Sequence, residues 1–169
     1  PNQEAIMIEA RAKNFATRAH EGQTRKYTGE PYINHPAAVV ELVRSVPHTS
    51  EMLAAAWLHD TVEDCGVDLR EIHALFGFEV ARLVEMLTDV SQPEDGNRAQ
   101  RKAIDRAHTA QCSSAAATIK LADLIDNTRS IVERDPEFAK VYLAEKRLLL
   151  EVLTHGNDAM WRAAAACAY

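Results

Sequence analysis

Apolar residues recur at helical spacing along most of the chain, and the breaks between those stretches set the predicted elements. Residues 3–20 mix apolar Ile6, Ala10, Phe15 and Ala19 with basic Lys13 and predict a first helix. Residues 21–34 (EGQTRKYTGEPYIN) break the pattern, with Gly22, Gly29 and Pro31 set among polar and basic side chains, and predict a long loop. Long loops inside compact domains are often functional. His35-Pro36 opens a helix to about Val46, with the proline at a tolerated first-turn position. Thr49 or Ser50 caps a helix running to about Asp64, and Gly66 stops it. Asp68 caps a short helix to Phe76, and Gly77 separates it from a helix over 78 to about 88 that carries Val80, Leu83, Val84 and Leu87. Residues 91–97 are a polar loop. Helices follow at about 98–110, 114–133, 136–153 and 157–167, with Asp135-Pro136 joining an N-cap to a first-turn proline. No alternating stretch is long enough for a strand. The pattern predicts an all-α protein, a single domain over residues 1–169 with about eight or nine helices in one bundle.

Composition agrees with this. Hydrophobic residues make up 47% of the 169, aromatics only 6%, and there are six glycines and six prolines, which favours helices around a real core over a turn-rich β fold. The net charge of −6 argues against binding a nucleic-acid polymer or an anionic membrane, but leaves a small anionic ligand open. Cys65, Cys112 and Cys167 are odd in number and form no CxxC, so they read as reduced thiols. The first fifteen residues lack the apolar core of a signal peptide, and no apolar run approaches the about 18 residues of a membrane span. The expectation is a cytoplasmic protein, its oligomeric state open.

Residues 54–65 (AAAWLHDTVEDC) change the picture from architecture to chemistry. On one continuous helix His59 and Glu63 are four apart, as are Asp60 and Asp64, so four metal-capable side chains share one side of its end. The turns before them are almost wholly apolar and predict burial, where grouped ionisable side chains need a compensating cation. A His-Asp dipeptide alone is weak evidence, since chance gives roughly 0.4 of them in a chain with this many His and Asp residues. Residues 118–128 (TIKLADLIDNT) strengthen the case by setting Lys120, Asp123 and Asn127 on one stripe of another apolar helix. His35, heading its own helix, completes a set of two histidines and two aspartates with His59, Asp60 and Asp123. Imidazole and carboxylate without thiolate suit a divalent ion, with manganese first and iron, zinc or magnesium as alternatives. Such an ion polarises a phosphoryl oxygen and activates water.

These residues match the H…HD…D signature of the HD superfamily of metal-dependent phosphohydrolases. The stretches 22–36 (GQTRKYTGEPYINHP), 57–65 (WLHDTVEDC) and 119–128 (IKLADLIDNT) most resemble the hydrolase domain of the RelA/SpoT proteins and the stand-alone small alarmone hydrolases. The resemblance covers roughly residues 1–155 and implies an HD-domain helical bundle. It implies removal of the 3′-pyrophosphate of guanosine tetra- and pentaphosphate, usually with manganese. By matched position, His35, His59, Asp60 and Asp123 would hold the metal, and Glu63 and Asp64 would orient or deprotonate the attacking water. Arg25 and Lys26 would lie near the nucleotide, Asn127 at its sugar, and Tyr142 would supply an aromatic contact. The matched stretch ends before any synthetase region, which implies degradation without synthesis. The loop RKYTGEPY departs from the shorter RKSGEPY-like run of long bifunctional members, which alters the rim and leaves base choice open. An adenosine alarmone, an NADPH-like cofactor or a non-catalytic nucleotide-binding role are the alternatives. Arg98, Arg101 and Lys102 read as a solvated helix face, and His20, His48, His73, His108 and His155 carry no ligand pattern.

Overall fold

The computed structural model describes residues 2–169, and among them every named element is a helix. The residues group into two compact units, one closing at Thr88 and one running from Asp89 to Tyr169.

The first unit holds α1 (Gln3–Ala19), α2 (Asn34–Arg44), α3 (Ser50–Leu58), α4 (Thr61–Cys65), α5 (Leu69–Phe76) and α6 (Phe78–Leu87). Its centre is α3. Every residue from Met52 to Leu58 is buried, and α1, α2 and α6 pack around it. A helix with no polar face has no other stable place. The capping signals act where the sequence puts them: Thr49 accepts from the Met52 amide, Asp68 accepts from the Arg70 amide at 2.8 Å, and Gly66 closes α4 at φ 67°.

The continuous helix expected to Asp64 is corrected: it is broken. α3 ends at Leu58, and α4 starts at Thr61. Polar side chains cause the break by taking backbone carbonyls. His59 Nδ1 donates to the Ala56 carbonyl at 2.7 Å, Thr61 Oγ1 donates to the Leu58 carbonyl at 2.8 Å, and Asp60 sits at φ −99°, ψ −2°. The Asp64 amide still donates to the Asp60 carbonyl at 2.9 Å, so these two residues stay one turn apart. The loop before α2 is more ordered than its composition implies. Thr24 and Pro31 form an isolated antiparallel bridge, and the Arg25 amide donates to the Glu30 carbonyl at 2.8 Å, so residues 25–30 form a tight projecting turn.

The second unit holds α7 (Arg98–Thr109), α8 (Ser114–Arg134), α9 (Pro136–Val152) and α10 (Asp158–Ala168), with a 3-10 turn at Pro93–Asp95. α8 is the spine, against which α9 and α10 pack, while α7 lies on α9. At Gly156 the chain passes close against α8, and a Cβ there would meet Leu121 Cδ1 at 2.7 Å. Buried Asp105 holds the segment before α7 by accepting from the Val90 and Ser91 amides at 2.9 and 2.8 Å.

Lys146 on α9 is 1% exposed, and its ammonium donates to the Leu124 carbonyl at 3.0 Å and to the Thr128 hydroxyl. Burial pulls this lysine down from 10.5 to about 8. The folded state therefore resists the charged form, and the cost is fully present below about pH 8. Between about 8 and 10.5 the unfolded chain binds the extra proton, so this contribution to stability rises with pH across that window. Lys146→Met is expected to raise stability at pH 7 by ~1–3 kcal/mol, because replacing a buried charge with an apolar side chain of similar volume removes that cost. It should also flatten the rise between pH 8 and 10.5. Urea denaturation of both proteins across that range checks this, and a destabilised Lys146→Met variant would contradict it.

Candidate metal centre and nucleotide pocket

In the first unit three expected ligands come together. His35 and His59 are buried with ring centroids 5.3 Å apart. Asp60 Oδ2 lies 3.6 Å from His35 Nε2 and 3.2 Å from His59 Nε2. The break after Leu58 turns Asp60 toward the histidines while His59 stays on the buried path of α3. The tautomer of His59 follows from its neighbour. A carbonyl only accepts, so Nδ1 carries the proton at Ala56, and in the neutral ring Nε2 presents a lone pair. A lone pair directed at a carboxylate is unfavourable without a cation between or beside them. This donor set, with its histidine already oriented from the backbone, fits a divalent ion.

Tyr32 was not singled out in the sequence, yet its hydroxyl donates to Asp60 Oδ2 at 2.6 Å. It stands three residues before His35 in the GEPYINHP run. Glu63 and Asp64 lie on the surface of α4. The Asp64 carboxyl is raised above the usual aspartate range, first by partial burial and then by the charge of Asp60, while His20, Tyr32 and His59 pull it back. A raised carboxylate is a better proton acceptor near neutral pH. Arg25 is half-buried and Lys26 exposed, both in the turn that ends at Glu30, and the Lys26 ammonium sits 5.1 Å from the centre of the Tyr27 ring.

The other expected residues are in the second unit. Asp123 is buried on α8, where Lys120 Nζ lies 3.1 Å from Oδ2 and Asn127 donates to Oδ1 at 3.0 Å. Both side chains come from the stripe read in the sequence. They border a cavity of about 150 Å³, also lined by Tyr142, Arg98, Lys102 and Arg106. Burial pushes the Tyr142 phenol up, with the Asp123 charge adding to the shift, so the hydroxyl stays protonated and available as a donor.

Arg98 is exposed, as expected for a solvated helix face, and with half-buried Lys102 it also borders this cavity. The Arg98 guanidinium is paired with Glu145, with Nε–Oε1 at 2.7 Å and Nη2–Oε2 at 2.9 Å. Arg106 was missed, although a signal existed: Arg98, Lys102 and Arg106 recur every four residues and so share one face of α7.

The chain belongs to the HD domain family, whose profile matches residues 12–150. It is 39% identical over 130 residues to the probable guanosine-3′,5′-bis(diphosphate) 3′-pyrophosphohydrolase of Synechocystis sp. (strain ATCC 27184 / PCC 6803 / Kazusa), covering 75% of this chain and 17% of that protein. It is 37% identical over 137 residues to the guanosine-3′,5′-bis(diphosphate) 3′-pyrophosphohydrolase MESH1 of Danio rerio, covering 79% of this chain and 73% of that one. Its fold matches the solved structure of a metazoan ortholog of SpoT that hydrolyzes ppGpp and plays a role in starvation responses. The TM-score is 0.86 at 26% identity, over 99% of this chain and 94% of the other. HD-domain membership implies a divalent metal, in keeping with the histidine–aspartate donors described above. Among the described residues no helix is long and apolar enough to cross a membrane.

Proposed function

We propose that this chain hydrolyses the 3′-pyrophosphate of guanosine tetra- and pentaphosphate, giving GDP or GTP and pyrophosphate. The observation that carries the reading is the cluster of buried His35 and His59 with half-buried Asp60, followed in the next turn by the acidic pair Glu63–Asp64. It is supported by the relatives that bear that activity in their names. Residues 1–169 act as a single HD-type hydrolase domain, in keeping with a family match that runs from residue 12 to residue 150. The setting is cytoplasmic and the partner a small nucleotide, with no nucleic-acid polymer.

His35, His59, Asp60 and Asp123 hold the ion, manganese first. When bound, it supplies the positive charge that polarises a phosphoryl oxygen and makes water more acidic. The chain's own groups do the rest. Glu63 or Asp64 takes a proton from water as the water oxygen forms a bond to the phosphorus attached to the 3′-oxygen. The bond between that phosphorus and the 3′-oxygen breaks, the 3′-oxygen takes up a proton as the hydroxyl of GDP, and pyrophosphate leaves. Arg25 and Lys26 on their projecting turn suit an anionic nucleotide through charge-assisted hydrogen bonds. Asn127 and Tyr142 offer a carboxamide and a protonated phenol to the sugar and base.

A substrate panel tests the assignment. With manganese present, kcat/KM for guanosine tetraphosphate is expected to exceed that for its adenosine counterpart and for NADPH by roughly tenfold or more. A preference for either of the other two would move the physiological substrate to that nucleotide.

A further inference from the structure

We infer that His20 and Gln23 form a brace that positions the acidic pair Glu63–Asp64 by tying down the backbone of α4, which makes both of them positioning residues for the reaction proposed above, on which this inference rests. The acidic pair sits on α4, which is five residues long. A helix that short cannot hold its own geometry in water, so the aim of Glu63 and Asp64 must be fixed from outside. Its last carbonyls also lack intrahelical partners. The carbonyl of Asp64 is one of these, and Gln23 Nε2 donates to it at 3.1 Å.

The other end of the same carboxamide is also engaged. Gln23 Oε1 lies 2.8 Å from His20 Nδ1. The directions are fixed by what the ends can do. The Asp64 carbonyl only accepts, so Gln23 presents its NH₂ group there and its oxygen to His20, which must donate from Nδ1. His20 is 2% exposed, so the brace stands on an immobilised side chain at the end of α1. The His20 ring lies against the Tyr32 ring, with centroids 4.8 Å apart and an interplanar angle of 34°. Tyr32 is the residue that donates to Asp60 Oδ2. One buried imidazole is therefore linked through Gln23 to Asp64 and through Tyr32 to Asp60. It sets the short helix that carries the acidic pair and a metal-ligating carboxylate against one reference. Cys65 Sγ packs into the same corner, 3.3 Å from His20 Nδ1.

Gln23→Glu isolates the claim. It is nearly isosteric and still accepts from His20, but it sets a carboxylate oxygen against the Asp64 carbonyl where a donor stood. The expected result is a loss of ~10–100-fold in kcat, the range for groups that orient catalytic side chains. KM for guanosine tetraphosphate, manganese affinity and Tm should stay close to wild type, and amide hydrogen exchange over residues 60–67 should speed up roughly tenfold as the short helix loses its tie. His20→Ala should behave like Gln23→Glu. His20→Asn, whose amide can still donate to Gln23, should recover most of the kcat lost in His20→Ala. Wild-type exchange over residues 60–67 in Gln23→Glu would overturn the brace. So would wild-type kcat, or a loss of kcat matched by equal losses of Tm and metal. A wild-type protein inactive on guanosine tetraphosphate would refute the proposed reaction, and the exchange measurement would still decide the brace.

Discussion

Asp60→Ala is expected to lose bound manganese and on the order of a thousandfold in kcat/KM together, equivalent to about 4 kcal/mol of transition-state stabilisation. Asp60 Oδ2 is the atom that approaches both buried imidazoles, at 3.6 and 3.2 Å, and the Tyr32 hydroxyl holds it there at 2.6 Å. Removing it takes away the carboxylate that stands against both imidazoles and, in the proposed set, leaves only Asp123 to balance the ion's charge. The surrounding α3 is apolar and fully packed, so the fold itself should survive. Metal content by elemental analysis, read beside turnover, checks this. An Asp60→Ala protein that kept its metal would show that the ligand set lies elsewhere.

Glu63→Gln should separate what Asp60→Ala loses together. Glu63 lies on the surface of α4, outside the histidine–aspartate cluster, so metal affinity should be unchanged. Turnover should fall ~10²–10⁴-fold, the usual contribution of a positioned acid or base. The amide is isosteric with the acid but cannot accept a proton from water. Asp64 is the companion test. If Asp64→Asn causes the larger loss, its raised carboxyl, lifted by burial and by Asp60, is the proton acceptor and Glu63 orients the water. If Glu63→Gln retains full turnover, Glu63 has no part in the proton transfer.

Helix positions were legible in the sequence because local chemistry dictates them. Thr49, Asp68 and Asp135 each cap the helix that follows, and Asp135 accepts from the Phe138 amide at 3.1 Å. His59, Asp60 and Asp123 stood out in the sequence as candidates because ionisable groups next to apolar helical stretches demand an explanation, and His35, at the head of its helix, stood out only beside them. The break between α3 and α4 was not, because it depends on side chains outcompeting the helix for its own carbonyls, a contest that hydrophobic periodicity does not register. Tertiary pairings were equally hidden. Arg98 meets Glu145 across 47 residues, and Gln23 meets Asp64 across 41. His20 showed no ligand spacing because its partners are a glutamine and a tyrosine ring rather than a metal. Lys146 looked like any lysine on an amphipathic helix, and only packing against α8 makes it a buried cation.

The most direct test of the central claim is incubation of the purified protein with guanosine tetraphosphate and manganese, with and without chelator, the products being separated by anion exchange. The account predicts GDP and pyrophosphate in equal amounts, and only when the metal is present. Orthophosphate in place of pyrophosphate, turnover undiminished by chelator, or an intact nucleotide in the presence of bound manganese would contradict it.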